Sequence, residues 1–142
     1  MKRRQFIQSA SLLTAAGLLD PQSLLAAKSG TKKIGVQLFS LPRLLENDFR
    51  SAIQLIAQIG YREVELFGPY PFSAAEAKEG WKAVTSQLGF SGSGYFGLSE
   101  KEVKTVLKEN KITVPSVHTD LVTMQKHMPE LGKAGDVLGF KY

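Results

Sequence analysis

The sequence predicts an α/β fold of parallel (β/α) units, and three observations carry that expectation. Short β-branched, aromatic or alternating runs recur at residues 34–39, 63–67 and 112–118. Between them lie segments with apolar residues at three- and four-residue steps, the period of a helix that buries one face. Capping residues and glycines punctuate several joins, and strands alternating with helices imply parallel pairing through right-handed crossovers.

Ile34-Gly35-Val36-Gln37-Leu38-Phe39 is the first expected strand, broken by Leu41-Pro42-Arg43. Asn47 or Asp48 can cap a helix whose stripe is Phe49, Ala52, Ile53, Ile56 and Ala57, with Gly60 placed to take a left-handed exit. Glu63-Val64-Glu65-Leu66-Phe67 alternates like a strand, and Gly68-Pro69 ends it. Residues 73–95 fit the alternation poorly and read as an insertion: a short helix started by a Ser73/Glu76 capping box, then a loop containing Gly89, Gly92 and Gly94. Trp81 and Tyr95 belong to that insertion. Ser99 with Glu102 forms a second capping box, Leu98 can staple onto Val103, and Val103, Val106 and Leu107 supply the buried stripe. Lys101, Lys104 and Lys108 make an ordinary exposed face, and Asn110 is placed for a left-handed exit. Ile112 to His118 is the third strand, with Pro115 costing it one ladder donor. A helical region from about 120 to 138, divided near Pro129, leads to Gly139-Phe140-Lys141-Tyr142, the approach to a fourth strand.

Composition narrows the function. The chain has 142 residues, 43% of them hydrophobic and 22% charged, a globular profile. It has no cysteine, which excludes disulfides, thiolate metal sites and a thiol nucleophile. The net charge is +5, but two of those charges fall in the first 27 residues and no basic run interleaves with aromatics. No nucleic-acid partner is expected. No G-x-G-x-x-G follows the first strand, and neither a phosphate loop nor a G-x-S-x-G elbow occurs.

Residues 1–30 read as an export signal and linker, and residues 31–142 as the folded part. Lys2-Arg3-Arg4 is a positive start before a mostly apolar stretch, and Arg3-Arg4-Gln5-Phe6-Ile7 resembles the twin-arginine export motif. Asp20-Pro21-Gln22-Ser23 interrupts the run, so no stable membrane span is expected after processing. The implied partner is the twin-arginine export machinery, and the implied destination is the periplasm.

Alternation along strands sorts the candidate site residues. Val64 and Leu66 share one face; Glu63, Glu65 and Phe67 point the other way. Val114, Ser116 and His118 share a parity on the third strand, as do Gly35, Gln37 and Phe39 on the first. Ligands of parallel α/β proteins bind at the C-terminal strand ends, where Gln37, Glu65 and His118 can converge as substrate-pocket residues. Each has a plainer alternative: a structural histidine, a carboxylate paired with a rim cation, an amide satisfying backbone. His127 reads as solvated surface. One Glu and one His cannot complete a divalent-metal site.

Ile34 to Leu41, then Ile59-Gly60-Tyr61-Arg62-Glu63-Val64-Glu65-Leu66, resemble the opening of the sugar phosphate isomerase/epimerase family, which has a xylose isomerase-like TIM barrel. Residues 96–110, Val114 to Asp120 and Leu138 to Tyr142 are similar to its second helix, third strand and approach to strand four. The resemblance implies metal-assisted proton transfer beside a carbonyl of a sugar or polyol. It implies His118 and Glu65, with Gln37 a weaker match, as pocket residues. The family's divalent-metal ligands lie on later strands, so no metal ligand is assigned within this chain. A complete barrel takes about 250 residues, so 142 residues are expected to be the N-terminal part of a truncated one, not catalytic alone. The alternative is a small exported sugar-binding or half-barrel interaction module without enzymatic activity. A flavodoxin-type doubly wound domain is a third reading.

Overall fold

The computed structural model describes residues 34–142; the export-signal residues Arg3 and Arg4 lie outside them. Three parallel strands alternate with helices. Strand β1 is Gly35–Gln37, followed by a 3-10 turn at Leu38–Ser40. Helices α1 (Pro42–Asn47) and α2 (Phe49–Ile59) lead to β2 (Glu63–Phe67). Then come α3 (Ala75–Leu88), α4 (Glu100–Glu109) and β3 (Thr113–His118). Helices α5 (Leu121–Lys126) and α6 (Met128–Leu138) complete the order. Among the described residues no helix is long and apolar enough to cross a membrane.

The spatial strand order is β1-β2-β3, the same as the chain order. Because crossovers between parallel strands are right-handed, an order that never reverses carries its helices to one face of the sheet. Burial agrees. Val64, Leu66 and Val114 are buried with Phe49, Ile53 and Ile56 of α2 and Val103, Val106 and Leu107 of α4. Each large aliphatic buried there contributes roughly 2 kcal/mol. On the opposite face Gly35, Gln37, Glu63, Glu65 and Ser116 are exposed or half-buried. A doubly wound sheet, by contrast, reverses its order and covers both faces.

The helix starts follow local chemistry. Asp48 caps α2 by accepting hydrogen bonds from Ser51 N and Oγ, and Gly60 ends it with φ +117°. Ser99 and Glu102 form a full capping box on α4. Pro42 does not merely break β1; its missing N–H and fixed φ suit the first turn of α1.

Several details differ from the sequence expectations. The first strand stops at Gln37, because Leu38 turns into the core. No capping box forms at Ser73. Its Oγ accepts from Tyr70 N, the cap position passes to Ala74, and α3 runs 14 residues through Gly80. The left-handed residue after α4 is Lys111 (φ 56°), while the Asn110 amide bonds Val106 O. His127 sits at the junction of α5 and α6 rather than within a helix.

The largest correction is in β3. Glu63 lies opposite Thr113, but Glu65 lies opposite Ser116, so β3 spends three steps where β2 spends two. Pro115 has no N–H to give the ladder, and the extra residue is absorbed around it. Val114 therefore packs on the helix side while Ser116 joins the Glu65 face, and the shared parity expected of Val114, Ser116 and His118 is broken. Beyond α6, Lys141 N donates to Pro115 O and Tyr142 O accepts from Val117 N, which ties this segment to β3.

The caps make stability acid-sensitive. Hydrogen bonds from the Ser51 hydroxyl and then its backbone N–H hold the Asp48 carboxyl below its ordinary 3.8. The Ser99 backbone N–H and then its hydroxyl hold Glu102 below its ordinary 4.5. A carboxyl depressed on folding stabilises fully above its unfolded value and loses that contribution as pH falls towards the folded one. Thermal midpoints should thus be flat above about pH 5 and fall below 4.5 and 3.8. Ser99→Ala should cost about 1 kcal/mol at neutral pH and reduce the acid dependence, both read by thermal melts across pH.

Candidate functional site

Register brings one side chain from each strand into a row across the open face. Gln37 is opposite Glu65, and Glu65 is opposite Ser116. Gln37 Nε2 donates to Glu65 Oε1 at 2.5 Å, and Ser116 Oγ donates to Glu65 Oε2 at 2.7 Å. One carboxylate is thus bonded to both neighbouring strands.

One step further towards the C-terminal ends, Phe67 is opposite His118. A cavity of about 370 Å³ opens there, lined by Gln37, Phe39, Phe67, His118, Thr119 and Trp81 among others. Its apolar wall is an aromatic cluster. Phe39 meets Phe67 edge-on at 5.2 Å between centroids, and Trp81 lies 6.0 Å from Phe67. Phe67 is buried under these rings, which makes the far end of β2 dry although Glu65 two residues before it is not. Such aromatic pairs add about 1 kcal/mol beyond their buried area.

The polar side is built from β1, β3 and the loop after β3. The His118 imidazole is exposed at the rim, while its carbonyl accepts from Gly68 N at 2.9 Å and fixes the two strand ends together. Thr119 Oγ1 is buried and finds no hydrogen-bond partner among the described residues. Asp120 is committed to capping α5, accepting from Thr123 N at 2.7 Å and from Thr123 Oγ1 at 2.6 Å. Burial pushes its carboxyl up, but hydrogen bonds from Thr123 and from the Asp120 and Val122 backbone together leave it below its ordinary value. Thr123 Oγ1 in turn accepts from Ala74 N, so the loop after β3 also anchors the start of α3.

Of the three residues singled out in the sequence, Gln37 and His118 line the cavity, and Glu65 stands behind it as the hydrogen-bond partner of Gln37. Sequence reasoning missed Thr119 and the meeting of the rings. The aromatic residues come from β1's exit, β2 and the expected insertion; alternation placed Phe39 with Gln37 and Phe67 with Glu65, but no local signal set Trp81 against them. Tyr70 is also buried. Its hydroxyl is held protonated mainly by burial, with Tyr95 and Glu65 adding to the effect.

Among the described residues no group of three or more His, Asp or Glu side chains is placed to hold a metal ion. Glu65 uses both oxygens within the sheet and Asp120 both of its own on Thr123. What these residues offer chemically is a ring face for apolar contact and hydrogen-bonding groups for hydroxyls.

A parallel α/β sheet with a cavity at its C-terminal strand ends is the class that this geometry defines. No protein-family model matches the chain, and no curated protein gives a significant match. Among solved structures the chain is similar to a sugar phosphate isomerase/epimerase from Parabacteroides distasonis ATCC 8503, at 21% identity and a TM-score of 0.49. The match covers 80% of this chain and 38% of that one, so the chain spans well under half of that protein.

The Glu65 row predicts a measurable coupling. Gln37→Ala and Glu65→Ala should each destabilise the sheet. A double-mutant cycle in denaturant should return about 1 kcal/mol of interaction between them. Additive losses would show that the bond contributes nothing.

Proposed function

We propose that residues 34–142 form the opening (β/α) units of a sugar or sugar phosphate isomerase/epimerase-like barrel and that their cavity is part of its substrate pocket. The observation that carries this reading is the pairing of a ring wall (Phe39, Phe67, Trp81) with a polar rim (Gln37, His118, Thr119) at the ends of strands wound in one direction. A sugar has the matching surface: C–H faces that stack on rings and hydroxyl edges that need donors and acceptors. Single-direction winding suits a sheet that curls and closes, with the Gln37–Glu65–Ser116 row inside it.

In the proposed reaction class, a proton leaves the carbon beside a carbonyl and returns either to the former carbonyl carbon, giving the isomer, or to the opposite face of the same carbon, giving the epimer. His118 is the described side chain suited to hold a substrate hydroxyl or carry that proton, since it lines the cavity and its imidazole has no hydrogen-bond partner among the described residues. Gln37, fixed by Glu65, presents its remaining amide oxygen to a second hydroxyl. A divalent metal, if bound in such a barrel, would polarise substrate oxygens. The described residues do not fit such an ion, and on this reading its ligands come from elsewhere in the barrel. The twin-arginine-like run at Arg3 and Arg4 supports an exported, periplasmic protein.

The competing reading is an exported sugar-binding module without turnover. Titrating the protein with aldoses, ketoses and polyols, following Trp81 emission with and without chelator, separates the two. The isomerase reading expects sugar binding that falls roughly tenfold in His118→Ala, with chelator-sensitive interconversion only when the chain is joined to the remaining strands of such a barrel. Sugar binding with no chelator-sensitive interconversion even when the remaining barrel strands are present would favour the module. Absence of any sugar binding would remove both.

A further inference from the structure

Helix α3 carries Trp81 into the cavity wall, yet none of its residues is buried. Packing on Phe67 and Phe90 seats Trp81 half-buried at the edge of the core, and polar contacts fix the direction of its indole. Those contacts lead outside the cavity. Trp81 Nε1 donates to the Ser91 carbonyl at 2.7 Å. Ser91 is itself gripped by Glu46 of α1: its N–H and its hydroxyl both donate to Glu46 Oε1, at 3.0 and 2.6 Å, and Gly92 N donates to the same oxygen at 2.8 Å. One turn earlier on α1, Arg43 lies against the exit of α3, where a Cβ on Gly89 (φ +72°) would come within 2.6 Å of its guanidinium. Phe90, between these anchors, meets both Trp81 (5.8 Å) and Phe39 (5.7 Å).

We propose that Glu46 is a positioning residue for the aromatic wall: through Ser91 it fixes the Trp81 ring, and so sets how tightly the cavity grips a ligand stacked on that ring. Neither Glu46 nor Arg43 lines the cavity. Three donors converging on one carboxylate oxygen, from a loop 45 residues away, hold the backbone turn whose carbonyl the indole needs. The affinity half of this inference rests on the sugar-pocket reading; the positioning half does not.

Trp81 is the chain's one tryptophan, so its fluorescence reports the ring directly. Glu46→Ala in the full chain should shift Trp81 emission to longer wavelength and raise its acrylamide quenching, with far-UV circular dichroism unchanged. Glu46→Gln, which keeps an acceptor oxygen, should restore much of the wild-type signal. Glu79→Ala, which removes an exposed ion pair with Lys82 on the same helix, should change neither. Affinity for whichever sugar the wild type binds should fall about tenfold in Glu46→Ala. Wild-type emission and quenching in a folded Glu46→Ala protein would overturn the positioning role. If Glu46→Ala fails to fold, Ser91→Ala, which removes only the hydroxyl donor, must show a smaller shift in the same direction, and no shift there would overturn it equally. A moved ring in a protein whose wild type binds no sugar would uphold the positioning and defeat only the pocket reading.

Discussion

A parallel sheet whose strands run in one direction buries one face under helices and leaves the other to find its own satisfaction. Here that face is organised by the Glu65 carboxylate, which takes a hydrogen bond from Gln37 on β1 and another from Ser116 on β3. Removing the carboxylate would strand two polar side chains and release the cross-strand tie beneath the cavity. The cavity depends on that row, because Gln37 is both a partner of Glu65 and a lining residue. The same row gives each Glu65 oxygen a structural partner, which fixes the carboxylate's orientation across the three strands.

Above the row, dryness takes over from hydrogen bonding. Phe67 closes the open face at the end of β2; Phe39, Phe96 and Trp81 pack around it, and Phe90 backs Phe39 and Trp81. The bulge at Pro115 matters to this arrangement. Without the extra residue, Ser116 would not fall opposite Glu65 nor His118 opposite Phe67. A residue that costs β3 a ladder donor thus sets which side chains reach the cavity.

Much of the fold was legible because its signals are local. Asp48 with Ser51, Gly60, and Ser99 with Glu102 each act within a few residues, and the stripes of α2 and α4 repeat at helical spacing. The three parallel strands followed from that alternation. What escaped was non-local or competed for. Ser73 had a capping sequence, but its hydroxyl went to Tyr70 N. Asn110 had the residue type for a left-handed turn, but Lys111 took it. The slip in β3 was invisible to parity counting, which assumes two residues per repeat throughout, although Pro115 marked the place. For the site, strand-end logic reached Gln37, Glu65 and His118. It placed Phe39 and Phe67 but could not reach Trp81, whose indole bonds Ser91, a residue that Glu46 holds from 45 positions away. No spacing rule encodes that.

The central claim is that the strand-end cavity receives a sugar or polyol on its ring wall. Two-dimensional amide and indole NMR of the isotopically labelled protein, titrated with pentoses, hexoses and polyols, tests it most directly. The account predicts shifts confined to the Gln37 side-chain amide, Gly68, the Trp81 indole, His118 and Thr119. Shifts centred instead on the groove between α2 and α4, at Arg50, Gln54 and Asn110, or none with any sugar at millimolar concentration, would contradict it.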